Sequence, residues 1–179
     1  MIRLFAAVEI PKDVAHDLER RQQGIPGARW RPLEALHVTL AFYGEVEEAV
    51  AAELDAGLAA LCSAPFEIVL DGVGLFGDGE HIHAVWAGVQ ESPALIELAR
   101  RCRETGRRAG VKMERRLYRP HVTLAYLKRT DPARAAAWVQ AHNLLKSPPI
   151  RVSWFGLWSS WLSPDGSRYD LEREYALFS

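Results

Sequence analysis

The tetrapeptide His-Val-Thr-Leu occurs twice in this 179-residue chain, at 37–40 and again at 121–124. Each copy continues with apolar residues, Ala-Phe-Tyr after the first and Ala-Tyr-Leu after the second. Runs rich in β-branched and aromatic residues are typical of strands, and we predict strands over about 36–43 and 118–128. Because alternate side chains of a strand point to opposite faces, each copy presents one imidazole and one hydroxyl together, above an apolar underside.

The composition is that of a globular protein, with 49% hydrophobic and 25% charged residues. The length suits a single bilobal domain over residues 1–179. No apolar stretch approaches the roughly 20 residues of a membrane span, and the N-terminus has no secretion signal. The two cysteines, Cys62 and Cys102, have no metal-ligand spacing. We therefore expect a cytoplasmic protein with no membrane association and no obligate protein partner.

The predicted elements repeat along the chain. A strand at 2–9 leads through a helix beginning near Pro11 to the first motif, and a strand at 81–89 leads through a helix beginning near Pro93 to the second. Each motif is followed by another predicted helix. We predict an α+β fold of two pseudo-symmetric lobes, each an antiparallel sheet with helices packed on its outer face. The motif strands would then face each other across a central active-site cleft.

Such a cleft gathers groups suited to acid–base chemistry on a phosphodiester. His37 and His121 are the candidate catalytic residues, since imidazole titrates near neutral pH and can give or take a proton. Thr39 and Thr123 are the candidate phosphate-binding residues, because hydroxyls donate hydrogen bonds to non-bridging oxygens. This chemistry needs no metal ion and no cofactor. From the residues alone, either histidine could serve as the acid.

The two motifs also have a less specific interpretation. The histidines could be satisfied core residues of two buried strands, which the repetition of the whole tetrapeptide disfavours.

The net charge is −1, yet residues 100–119 hold nine basic and two acidic residues, a local charge of +7. We interpret Arg100 to Arg108 as a solvated helix face and Lys112 to Arg119 as a candidate for holding a phosphate-bearing ligand.

Several stretches beyond the motifs carry a family resemblance: Arg3 to Pro11, Arg29-Trp30, Leu36 to Leu40, Phe42 to Gly44, Trp86 to Val89, Arg119 to Leu124 and Ser163 to Tyr169. Together they resemble the two-histidine (2H) phosphoesterase superfamily, and within it the RNA 2′,3′-cyclic phosphodiesterases once called 2′-5′ RNA ligases. The resemblance runs over nearly the whole chain.

The resemblance implies hydrolysis of a terminal RNA 2′,3′-cyclic phosphate, or of a 2′,3′-cyclic nucleotide, to a 2′-phosphate. It implies that His37 is the proton donor to O3′, that His121 is the proton acceptor activating water, and that Thr39 and Thr123 hold the phosphate. One position departs from the family, which often has an arginine where this chain has Tyr126.

The departure at Tyr126 leaves the cationic phosphate ligand open, with Arg119, Arg115 and Lys128 as candidates. Tyr126 itself is a possible substrate contact, and Phe5 and Tyr169 could stack a nucleobase. The same cleft allows two alternative functions. The protein could join tRNA halves through a 2′-5′ linkage, or it could bind RNA ends without hydrolysing them.

Overall fold

A computed structural model describes residues 1–179 as ten strands and four helices. The strands are β1 (Ile2–Glu9), β2 (Arg29–Trp30), β3 (His37–Val46), β4 (Phe66–Ile68), β5 (Leu70–Phe76), β6 (Ala84–Val89), β7 (His121–Tyr126), β8 (Ile150–Val152), β9 (Trp154–Ser163) and β10 (Gly166–Ala176). The helices are α1 (Lys12–Glu19), α2 (Glu48–Ala59), α3 (Pro93–Arg108) and α4 (Pro132–His142).

Eight strands form one antiparallel sheet in the order β10-β9-β1-β3-β7-β6-β5, with β2 beside β7. The predicted α+β class and its antiparallel sheet are confirmed. The repeating units β1-α1-β3-α2 and β6-α3-β7-α4 lie on either side of the sheet's centre. Strands β3 and β7 pair through Val38 and Val122 alone, and β2 adds two further pairs with β7. The two halves therefore share one sheet but touch over a short length.

One face of the central strands packs into the hydrophobic core. Along both motifs the burial alternates, so that Val38, Leu40, Val122 and Leu124 are almost fully buried while the histidines and threonines are half-buried. This alternation follows from the two-residue period of a strand. The apolar underside predicted for each motif is thus present, and the polar side chains occupy the other face.

Helices α3 and α4 begin at the Ser-Pro and Asp-Pro pairs. The Ser92 hydroxyl accepts a hydrogen bond from the Leu95 N–H at 3.3 Å, and the Asp131 carboxylate accepts one from the Ala133 N–H at 2.9 Å. In each case the following proline lies in the first turn, where a missing N–H costs nothing. No helix is both long and apolar enough to cross a membrane.

The second motif strand is shorter than the predicted 118–128. It begins only at His121, because Pro120 has no N–H for a ladder bond, and the Tyr118 hydroxyl instead donates to the Thr39 carbonyl at 2.7 Å. It ends at Tyr126, and at Arg129 a φ of +51° turns the chain away. The first motif strand extends past the predicted 36–43 to Val46, because residues 44–46 pair with residues 2–4 at the start of β1.

Two apolar stretches, over 66–76 and 150–162, each suit a single long strand by composition but form two strands in the structure. Strands β4 and β5 occupy the first stretch, and β8 and β9 occupy the second. In both cases the first three residues leave the main sheet, and β4 and β8 pair with each other as a small second sheet. Continuous apolar runs give no sign of such a division, since either sheet can bury them.

The packing of α3 on β3 leads to a stability prediction. Gly106 lies directly against the Tyr43 ring, whose hydroxyl donates to the Cys102 carbonyl at 2.9 Å and is therefore held in place. A Cβ at position 106 would lie 2.8 Å from the Tyr43 ring and 2.7 Å from the Met113 sulfur. We expect Gly106→Ala to lower the free energy of unfolding by about 1–3 kcal/mol, measured by urea denaturation, because the contact is overpacked.

The control is Ile96→Ala on the same helix, where the side chain is 42% exposed. Its effect should stay within about 0.5 kcal/mol. An alanine at 106 that stabilises the protein, as it would in an isolated helix, would contradict the close packing described above.

Candidate active site

The site is built around the single backbone pair that joins β3 to β7. Val38 and Val122 lie opposite each other in antiparallel register, with both side chains in the core. Residues on either side of such a pair point to the other face. The register therefore places His37 and Thr39 of β3 next to Thr123 and His121 of β7. All four side chains lie on the face of the sheet opposite the core.

His37 is enclosed by aromatic side chains. Its ring stacks on Phe5 with centroids 4.9 Å apart, and the Tyr169 ring meets it edge-on at 5.5 Å. The His37 ring donates a hydrogen bond to the Ala35 carbonyl, and its Nε2 lies 3.1 Å from the Thr39 hydroxyl. In the neutral ring Nε2 holds the lone pair, so the Thr39 hydroxyl donates to it.

His121 repeats this arrangement in the second half. Its Nδ1 donates to the Arg119 carbonyl at 2.6 Å, so that the neutral ring has its lone pair on Nε2. The Phe76 ring meets it edge-on at 4.8 Å, and Trp86 lies 6.4 Å away. Each imidazole thus bonds the carbonyl two residues before it and rests among aromatic rings. The two halves therefore position their histidines by the same local hydrogen bond.

Both imidazoles are neutral at pH 7 in the free protein. The pKa of His37 is lowered to about 4, mainly by burial; the Ala35 hydrogen bond opposes this shift, whereas the charge of Arg31, and that of His121 when it is protonated, add to it. Burial also lowers the pKa of His121 below its usual value, against the Arg119 hydrogen bond. Each Nε2 is therefore ready to accept a proton. Donation requires an anion nearby to restore the charged form.

A cavity of about 320 Å³ opens beside the first motif. Four aromatic rings line it together with His37 and Thr39, and the residues are Phe5, Phe42, Tyr126 and Tyr169. Three candidates from the sequence, Phe5, Tyr126 and Tyr169, are thus brought to one place. His121 and Thr123 lie outside this cavity, on the same sheet face beyond the β3–β7 junction.

Four of the nine basic side chains in the run over 100–119 form ion pairs. Arg100 pairs with Glu97, Arg107 and Arg108 pair with Glu104, and Arg116 pairs with Glu114, all on exposed side chains. Arg119 is exposed and its guanidinium makes no hydrogen bond or ion pair. Its backbone carbonyl, rather than its charge, is what meets His121.

Sequence reasoning missed three residues near the imidazoles. Arg31 follows the two-residue strand β2, Phe76 ends β5, and Trp86 lies in β6 opposite Thr123. The Trp86 ring packs on the bare backbone of Gly74, which leaves no room there for a Cβ. A two-residue strand has no periodicity to detect, so nothing local indicated that β2 pairs with β7. No cluster of three or more His, Cys, Asp or Glu side chains is arranged to hold a metal ion.

Comparison with known sequences gives consistent matches over nearly the whole chain. The family model of the 2′-5′ RNA ligase superfamily matches residues 10–160. The RNA 2′,3′-cyclic phosphodiesterase of Archaeoglobus fulgidus is 30% identical over 94% of this chain and 96% of its own length. The enzyme of the same name from Escherichia coli is 29% identical over 98% of this chain and 96% of its own length.

Solved structures share the fold at similar identity. Escherichia coli LigT complexed with 3′-AMP has a TM-score of 0.80 at 26% identity, covering 99% of both chains. The TT0787 protein of Thermus thermophilus has a TM-score of 0.81 at 27% identity, covering 98% of both chains. The chain therefore belongs to the 2′-5′ RNA ligase superfamily, and within it to the family of the RNA 2′,3′-cyclic phosphodiesterases.

Proposed function

We propose that this protein hydrolyses terminal RNA 2′,3′-cyclic phosphates, and 2′,3′-cyclic nucleotides, to 2′-phosphates by metal-independent acid–base catalysis. The observation that carries the proposal is the register at Val38 and Val122, which puts two His-x-Thr pairs on the same face of the sheet, on either side of the junction between β3 and β7. Relatives named RNA 2′,3′-cyclic phosphodiesterases, aligned over nearly the whole chain, support the substrate class.

The proposed step is an in-line displacement at phosphorus. His121 takes a proton from water through Nε2, and the resulting hydroxide oxygen forms a new bond to phosphorus. The bond from phosphorus to O3′ breaks, and His37 gives its proton to that leaving oxygen. The product is a 2′-phosphate with a free 3′-hydroxyl, and one water is consumed. The hydrogen bond from His121 Nδ1 to the Arg119 carbonyl leaves the Nε2 lone pair free to accept this proton. His37 makes the equivalent bond, so the choice of His121 as the base rests on the family resemblance.

The donor role of His37 depends on the substrate's own charge. In the free protein the pKa of His37 is about 4, so little of the ring is protonated at pH 7. A bound phosphodiester brings a negative charge close to the ring, which favours the imidazolium form. The enzyme would therefore acquire its acid only as the substrate binds. Thr39 and Thr123 would donate hydrogen bonds to the non-bridging oxygens and hold phosphorus between the two rings.

Alanine at either histidine should remove most of the activity. We expect His37→Ala and His121→Ala each to lower kcat by about 10²- to 10⁴-fold, the usual contribution of a positioned acid or base. The assay follows 2′,3′-cyclic AMP with EDTA present and identifies the product isomer. His16→Ala, on the exposed surface of α1, is the matched control and should retain full activity.

Three results would contradict the proposal. One is turnover that survives both alanine substitutions, and another is turnover that EDTA abolishes. The third is a joined product from RNA ends carrying a 2′,3′-cyclic phosphate and a 5′-hydroxyl, which would indicate ligation as the activity.

Removing either threonine hydroxyl should weaken stabilisation of the transition state. Valine keeps the shape of threonine without its donor, so Thr39→Val and Thr123→Val should each lower kcat/KM by about 10²-fold or more. Steady-state kinetics on 2′,3′-cyclic AMP measure the effect. Full activity in Thr123→Val would show that the second motif does not contact the phosphate.

The pH dependence should differ between kcat/KM and kcat. kcat/KM follows the free enzyme, in which the base must be neutral and the acid protonated. It falls below the lower and above the higher of the two pKa values, and burial holds both below 6.5, with that of His37 at about 4. We expect its maximum on the acid side of pH 6.5. kcat should peak at higher pH, because the bound phosphate raises both pKa values. A kcat/KM maximum above pH 7 would contradict this assignment.

A further inference from the structure

Arg31 holds an unusual position beside the first motif. Its backbone N–H donates to the Leu124 carbonyl at 2.8 Å, which continues the pairing of β2 with β7. Its guanidinium lies over two tyrosine rings, with centroid distances of 5.3 Å to Tyr126 and 5.4 Å to Tyr169, and its Nη2 donates to the Tyr169 hydroxyl at 2.9 Å. The side chain is therefore fixed from several sides.

The charge of Arg31 has no carboxylate partner. Arg100, Arg107 and Arg108 of α3 pair with glutamates of the same helix, whereas the side-chain contacts of Arg31 are with neutral phenol groups. The residue is half-buried, so water compensates its charge only in part. Arg31 and His37 both contact the Tyr169 ring, which places the guanidinium next to the first motif. Its positive charge also contributes to the lowered pKa of His37. A fixed, uncompensated guanidinium beside His37 is a ready site for an anion.

We propose that Arg31 binds the phosphate of the substrate, in the role that the family resemblance gives to an arginine at the position of Tyr126. The Tyr126 ring packs against the Arg31 guanidinium, so that the cation here comes from residue 31 and not from residue 126. A guanidinium has five N–H donors, and Tyr169 takes one of them, so a bidentate pair remains for two phosphate oxygens. The identity of the phosphate as a 2′,3′-cyclic end rests on the proposed function.

Arg3 and Arg29 line the cavity and are competing cations, as is Arg119, one of the three candidates that the sequence left open. The Arg119 guanidinium is exposed and free of contacts, so it would have to be ordered on binding, at a cost in side-chain entropy. Arg31 is already held by Tyr126 and Tyr169. Preorganisation therefore favours Arg31 over Arg119.

Binding of the product analogue 2′-AMP, measured by titration calorimetry, tests the proposal without turnover. Arg31→Gln should weaken the affinity about 10- to 100-fold, the range for one charge-assisted contact. Arg31→Lys should recover only part of it, because an ammonium lacks the planar fork. Arg100→Gln, an exposed and ion-paired position on α3, should bind as the parent does. Circular dichroism checks that each variant is folded.

An NMR titration of the His37 ring without ligand gives a second readout. Loss of the Arg31 charge should raise the pKa of His37 in Arg31→Gln, and Arg31→Lys should keep it low. A merely structural role would not separate the two variants in this way.

The proposal is overturned if Arg31→Gln binds 2′-AMP like the parent, if Arg119→Gln shows the loss instead, or if Arg100→Gln loses as much affinity as Arg31→Gln. Absence of cyclic phosphate hydrolysis by the parent would reject the proposed function. Loss of 2′-AMP binding in Arg31→Gln would still establish the anion site.

Discussion

The backbone pair between Val38 and Val122 is the contact on which the candidate site depends. Because both valines point into the core, the polar residues beside them must point to the open face of the sheet. The brevity of this pairing matters as much as its register. If β3 and β7 were paired along their whole length, cross-strand neighbours would fill the space between the two His-x-Thr pairs. A single pair of residues brings the motifs together and lets the strands diverge.

Burial governs the electrostatics of both imidazoles. Aromatic rings pack against His37 from β1 and β10 and against His121 from β5 and β6, and they exclude water from each side chain. Exclusion of water penalises the charged imidazolium, so the free protein holds two neutral rings. A phosphodiester is the kind of ligand that reverses this penalty, since it brings one negative charge. In the proposed mechanism, proton donation would therefore depend on a phosphodiester occupying the site.

The two halves are alike in their histidines but differ in what surrounds them. Each imidazole bonds the carbonyl two residues earlier, whereas the cavity lies only on the side of His37, where β9 and β10 add a wall that the second half lacks. Arg31 belongs to this same side. The asymmetry offers a physical reason for the two histidines to take different roles, which the near-identical motifs do not.

The sequence by itself determined the α+β class, the two motif strands and the four polar side chains on one face, because a two-residue period and a repeated tetrapeptide are local signals. It also offered Phe5 and Tyr169 as possible substrate contacts, because aromatic rings can stack on a nucleobase. Tertiary structure alone decided that β2 pairs with β7, that Arg31 lies between Tyr126 and Tyr169, and that burial holds His37 neutral. These features depend on contacts between residues far apart in the chain. The pairing of β2 with β7 joins residues about 95 positions apart, and the loss of water around His37 results from packing of distant rings. The local sequence pattern around a residue contains no information on either.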